Sequence, residues 1–142
     1  MRYAYPYRME PQPEGGFTVI FPDVPEAVTE GDTIGEARER AEDALVSALS
    51  FYTEDGKPLP SPSPARGRAV AMVPPLVAAK LALHDALLSA GISNVELGRQ
   101  LDLDEKSVRR LRDPLHRSHI GQIETALRFL GKRLEVRVLE AI

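Results

Sequence analysis

The sequence predicts two modules: an α+β layer of order β-β-β-α-β, then an all-α module that closes on a C-terminal strand. Three patterns carry this. Tyr3, Tyr5, Tyr7 and Met9, then Phe17, Val19 and Phe21, alternate with other residues, the two-residue period of strands. Ile34, Ala37, Ala41, Leu45, Ala48 and Tyr52 recur at helical spacing. Beyond residue 75, apolar residues come in short helical bursts punctuated by Gly91, Pro114 and Gly131. No internal repeat is visible.

In the first strand, Pro6 removes a ladder donor, so that strand needs a free position or an edge. The loop EPQPEGG turns it into the second strand as a hairpin, and 27–30 is a short third strand. Asp32 or Thr33 can cap the helix that follows, and Thr33 with Glu36 matches a capping box. The helix stops near Gly56. The segment KPLPSPSPARG, 57–67, holds four prolines and favours an extended, semi-rigid joint. Val70 and Met72 mark a fourth strand.

Downstream, 76–90 reads as a helix ended by Gly91. Ser93 can cap a second helix with Leu97 and Leu101 at i, i+4, and Asp104 a third with Val108 and Leu111 at i, i+3. Pro114 stops the third. Ser118 can cap a fourth, in which Ile120, Ile123, Leu127 and Leu130 share one side. In the tail RLEVRVLEAI, Leu134, Val136 and Val138 alternate as in a strand that has no neighbour in sequence. Its partner is expected to be a second copy, giving a homodimer or higher oligomer, or else the N-terminal sheet. The modules are thus expected to divide as 1–75 and 76–142.

The chain has 142 residues, no Cys, and a net charge of −3. Lacking Cys, it has no disulfides or thiolate metal sites, which suits a reducing cytoplasm. Its first residues do not read as a signal peptide, and the longest apolar run, broken by Pro74 and Pro75, is too short for a bilayer, which needs about 20 residues. The charge is unevenly placed. Residues 1–75 hold seven Lys/Arg and twelve Asp/Glu, a net of −5; residues 76–142 hold eleven and nine, a net of +2. Opposite signs on either side of a boundary suggest separate partners.

The basic side concentrates around two short helices joined by a tight turn, the arrangement in which one helix braces the DNA backbone and the next lies in the major groove. Gly98 sits mid-helix at a cost of about 1 kcal/mol relative to Ala, which a close helix crossing would offset. Asp102 in the turn tolerates positive φ better than most residues with a side chain. Glu105, Lys106, Arg109 and Arg110 then face outward. Lys106 and Arg109 are the expected base readers, since Arg or Lys pairs with a guanine edge. Arg110 can reach a base or a phosphate; Arg112, Arg117 and Asn94 are expected at phosphates. Ser93 and Ser107 complete the candidate DNA-contacting set, and the operator is expected to be an inverted repeat. His116 and His119 form an H-x-x-H without a third ligand, so no metal is expected. His84 reads as structural.

Two stretches resemble a known family. DEKSVRRLRDPLHRSHIGQIETALRFLGKRLEV resembles the C-terminal domain of HicB-type antitoxins carrying a Cro/repressor-like helix-turn-helix. FTVIFPDVPEAVTEGDTIGEARERAEDAL and PLPSPSPA resemble the HicB domain. Together these cover nearly the whole chain in the expected order. The resemblance implies a partial ribonuclease-H-like fold at the N-terminus, neutralisation of a HicA-type RNA-cleaving toxin, autorepression of the toxin–antitoxin operon, and a prokaryotic cytoplasmic protein, nucleoid-associated when on its operator. It departs at Glu26-Ala27, where the family often has a small residue or Cys, and at Asp102, where turns of this kind often have Gly. Since a protein that grips RNA is usually basic, Asp23, Glu26, Glu30, Asp32 and Glu36 are the candidate toxin-facing residues.

Other function classes fit less well. Two-metal phosphodiester cleavage needs clustered carboxylates on the sheet, and the first two strands offer only Glu10. There is no Gly-x-Ser-x-Gly elbow and no P-loop, so neither catalysis nor a cofactor is expected. The alternative is a stand-alone regulator whose N-terminal module senses a small ligand.

Overall fold

A computed structural model describes residues 2–141. The N-terminal half forms β1 (Ala4–Pro11), β2 (Phe17–Ile20), β3 (Val28–Gly31), α1 (Ile34–Glu54) and β4 (Ala69–Met72). The strands make one antiparallel sheet in the order β3-β2-β1-β4. This is the α+β layer that the sequence patterns predict.

β1 divides its length between two neighbours. Its first half pairs with β4, with Tyr5 opposite Ala71, and its second half with β2, with Met9 opposite Val19. The Val73 N–H donates to the Tyr3 carbonyl. Alternation along an antiparallel ladder then puts Pro6 opposite Val70 at a non-hydrogen-bonded pair, where a missing N–H costs nothing. Tyr3, Tyr5, Tyr7, Val19, Phe21 and Ala71 are buried, packed with Ala37, Ala41, Leu45 and Leu49 of α1 in one core. Gly31 lets α1 start directly on the sheet: a Cβ there would lie 2.5 Å from the Ala37 nitrogen. Thr33 caps α1, its Oγ1 accepting from the Glu36 N–H at 3.1 Å. The return arm of the capping box is not made, because the Glu36 carboxylate pairs with Arg40 at 2.6 Å.

The proline-rich segment after α1 is extended and strapped to the sheet side. The Tyr5 hydroxyl donates to the Pro60 carbonyl at 2.7 Å, and the Ser63 N–H and hydroxyl both donate to Asp23 at 2.8 Å.

The C-terminal half is helical: α2 (Pro75–Ala90), α3 (Asn94–Leu101), α4 (Glu105–Arg112) and α5 (Ile120–Phe129). α2 serves both halves. Val77 and Leu81 complete the first core, while Ala79, Leu83, Ala86 and Leu87 join Leu97, Val108, Leu111, Ile123 and Leu127 in a second. Gly91 ends α2 in the left-handed conformation, with φ 67°.

Two local expectations are corrected. Ser118 does not cap α5; His119 occupies the cap position without a side-chain bond, because the Ser118 hydroxyl accepts from Lys80 instead. The tail also forms no strand. Residues 132–141 have no regular structure, and Val136 and Val138 are exposed. An alternating pattern becomes a strand only when a ladder partner is present, and among the described residues neither edge of the sheet supplies one.

Candidate nucleic-acid interface

Local capping builds the α3–α4 unit. The Ser93 hydroxyl accepts from the Glu96 N–H at 3.1 Å, and Asp104 accepts from the Ser107 N–H at 2.7 Å. Those bonds from Ser107, helped by Arg110 and Lys106, hold the Asp104 carboxyl below its usual pKa. Residues 102–104 join the helices, and Asp102 takes the left-handed conformation at φ 55°, ψ 49°. At the crossing, a Cβ on Gly98 would lie 2.7 Å from the Leu103 carbonyl oxygen and 3.2 Å from Val108 Cγ2. The helices therefore approach closely only because position 98 has no side chain.

This leaves Glu105, Lys106, Arg109 and Arg110 exposed along α4, with Arg117 exposed just beyond it. Among the described residues, no ion pair engages Lys106, Arg109, Arg110 or Arg117. By contrast, Arg8, Arg40, Arg99 and Arg128 each pair with a neighbouring carboxylate. Arg110, Arg117, His116, His119 and Gln122 line a hollow of about 480 Å³ between α4 and α5. Arg109 and Arg112 border another, about 570 Å³, shared with the C-terminal end of α1.

Asn94 and Arg112, both expected at phosphates, bond each other: Arg112 Nη1 donates to Asn94 Oδ1 at 2.5 Å. Arg112 Nη2 lies 2.9 Å from Nδ1 of the buried His84. Ser93 is exposed and committed to its cap; Ser107 is half-buried beside Arg110.

Lys80 is the residue sequence reasoning missed. It is fully buried on α2, and the three N–H groups of its Nζ are shared among four acceptors, the carbonyls of Arg110 (3.0 Å), Asp113 (2.9 Å) and His116 (2.5 Å) and the Ser118 hydroxyl (2.9 Å). Carbonyls left open at the end of α4 carry partial negative charge, so a cation is favourable there. Burial pushes the Lys80 ammonium pKa down. The available signal was a lone Lys in the apolar run PLVAAKLA.

The candidate acidic residues separate into two groups. Asp23 and Glu26 lie in the β2–β3 connection; Asp23 holds Ser63, and Glu26 accepts from the Tyr52 hydroxyl at 2.7 Å. That bond, ahead of burial, raises the Tyr52 pKa. Glu30, Asp32 and Glu36 gather at the start of α1, where Arg40 bonds the Glu30 carbonyl and the Glu36 carboxylate. Tyr52 follows Glu36 by sixteen residues of helix, so at 1.5 Å per residue the groups stand about 24 Å apart. Among the described residues, no three His, Cys, Asp or Glu side chains gather as a metal site.

A family model described as the HicB_like antitoxin of bacterial toxin-antitoxin system matches residues 4–82. That span ends inside α2, one residue past Leu81. Over 133 residues the chain is 40% identical to Antitoxin HicB of Escherichia coli K12, covering 93% of this chain and 96% of that protein. It is 43% identical over 132 residues to Antitoxin HicB 2 of Photorhabdus laumondii, covering 93% and 94%, and 38% identical over 138 residues to Antitoxin HicB of Pseudomonas fluorescens, covering 96% and 92%. The match runs through the sheet, α1 and the helical half alike, and the chain belongs to the HicB antitoxin family.

Proposed function

We propose that this antitoxin neutralises a HicA-type RNA-cleaving toxin through its N-terminal module and represses its own operon through its C-terminal one. The N-terminal module, 1–75, is a partial ribonuclease-H-like layer; α1 packed along one face of a β-β-β-α-β sheet supports that reading. Residues 76–142 are a helix-turn-helix that binds an inverted-repeat operator as a homodimer or higher oligomer. Lys106 and Arg109 read bases, Arg110 contacts a base edge or a phosphate, and Arg117 contacts a phosphate. Ser93, Asn94, Glu105 and Ser107 lie at the margin, with Arg112 as a brace. The observation that carries this reading is a set of exposed cations, Lys106, Arg109 and Arg110 on α4 and Arg117 just beyond it, with no ion-pair partner among the described residues, set by a capped two-helix unit that only glycine at position 98 permits.

Toxin capture draws on the acidity of the other half. Glu26 at one end of α1 and Glu30, Asp32 and Glu36 at the other form two anionic contacts for a basic partner, while Asp23 shapes the loop that holds Glu26. The test is co-expression with the reading frame next to this gene. Co-purification with a small basic protein, rescue of growth, and a band shift on the DNA upstream of the gene are the expected results. Loss of all three would remove the reading.

A further inference from the structure

His84 has no exposed surface, and its two ring nitrogens meet partners of opposite kind. Nε2 is 2.7 Å from the Lys57 carbonyl oxygen, which can only accept. Nδ1 is 2.9 Å from Nη2 of Arg112, which can only donate. A single form satisfies both: the neutral ring with its proton on Nε2. Arg112 continues to Asn94 at 2.5 Å. Three hydrogen bonds therefore run from the segment leaving α1, through α2, to the last turn of α4 and the first residue of α3.

We propose that His84 is a positioning residue for operator binding: without touching DNA, its Nδ1 bond to Arg112 fixes the rotation of α4 against α3. This rests on the operator-binding reading given above. Directional bonds specify one arrangement where apolar contacts at Leu97 and Val108 leave rotation softer. Protonation places an N–H on Nδ1 against the Arg112 donors, which breaks the chain. Burial is the main reason the His84 pKa lies below the ordinary imidazole value; Arg112 on α4 adds to the effect, while the Lys57 carbonyl and Asp85 on α2 oppose it.

Two substitutions separate the arms. His84→Asn keeps an acceptor near Nδ1 and gives up Lys57; His84→Gln reaches Lys57 and leaves Arg112 without its acceptor. The full-length chain and both variants are titrated against the DNA fragment immediately upstream of its gene. His84→Asn is expected within about twofold of wild type and His84→Gln about fivefold to tenfold weaker, the size of one lost hydrogen bond. On acidification to below the ordinary imidazole range, where the lowered His84 pKa puts its protonation, wild-type affinity falls while that of His84→Asn does not. Nitrogen NMR of the wild-type ring reads the tautomer directly, independent of how either variant folds. Equal affinities for the two variants, or a proton on Nδ1 at neutral pH, overturn the proposal. A wild-type chain that leaves the fragment unshifted overturns the operator reading instead, before any substitution is made.

Discussion

The Tyr3 hydroxyl donates to Asp85 Oδ2 at 2.6 Å, joining the residue before β1 to the middle of α2. Burial, followed by this bond and the charge of Asp85, drives the Tyr3 pKa far above that of free tyrosine. Together with Val77 and Leu81, this bond makes the first turns of α2 part of the N-terminal core.

A fragment ending at residue 75 should therefore melt well below one ending at residue 90, although both contain the whole sheet. Tyr3→Phe in the full chain should cost about 1–3 kcal/mol, since it leaves Asp85 without its donor. Calorimetry of the two fragments and the variant checks both expectations. Equal melting of the fragments would show that the N-terminal module is complete at residue 75.

Gly98→Ala should destabilise the chain by about 1–3 kcal/mol, through overpacking against the Leu103 carbonyl. Helix propensity alone predicts a gain of about 1 kcal/mol for the same change. The sign of the shift in a urea midpoint thus decides between close packing and propensity. Operator binding should weaken alongside.

Lys80→Met should cost about 1–3 kcal/mol, because the His116 carbonyl loses its donor, while the Arg110 and Asp113 carbonyls keep only the N–H groups of Asp113 and His116. Loss of protection at the end of α4 and in 113–118, read by hydrogen exchange, localises the effect. Unchanged exchange there would mean that Lys80 does not hold α4.

Arg109→Ala should cost roughly 1–3 kcal/mol on the operator and relax preference at one base position. Arg117→Ala should weaken operator and scrambled DNA alike and flatten the salt dependence by about one unit. Titrations at two salt concentrations on both DNAs separate them. An unchanged operator-to-scrambled ratio for Arg109→Ala would mean that α4 is rotated in the groove.

Deleting 133–142 should turn dimers into monomers in sedimentation. The alternation of Leu134, Val136 and Val138 has no ladder partner among the described residues, and Val138 is 95% exposed. Exposed β-branched residues in strand spacing are covered when a second copy pairs with them. Dimers that survive the deletion would place the interface elsewhere.

The sequence by itself determined whatever rests on neighbours a few residues apart. Thr33, Ser93 and Asp104 each cap a helix through a bond to the N–H three residues on, so a short window of sequence contains both partners. Alternation along β1 and β2 fixed which side chains face the core, because a strand's period is a local property. Gly98 and Asp102 announced the tight crossing and its turn by their own steric limits. Tertiary structure alone decided the rest. Lys80 reaches carbonyls 30 to 36 residues away, and His84 bonds residues 27 and 28 away. No local pattern encodes those partners. The same long reach took Ser118 from its expected cap and turned Arg112, expected at a phosphate, toward Asn94 and His84. Desolvation is the physical reason: once folding buries a charged or polar group, it takes whichever partner the packing brings near, and the local alternative loses.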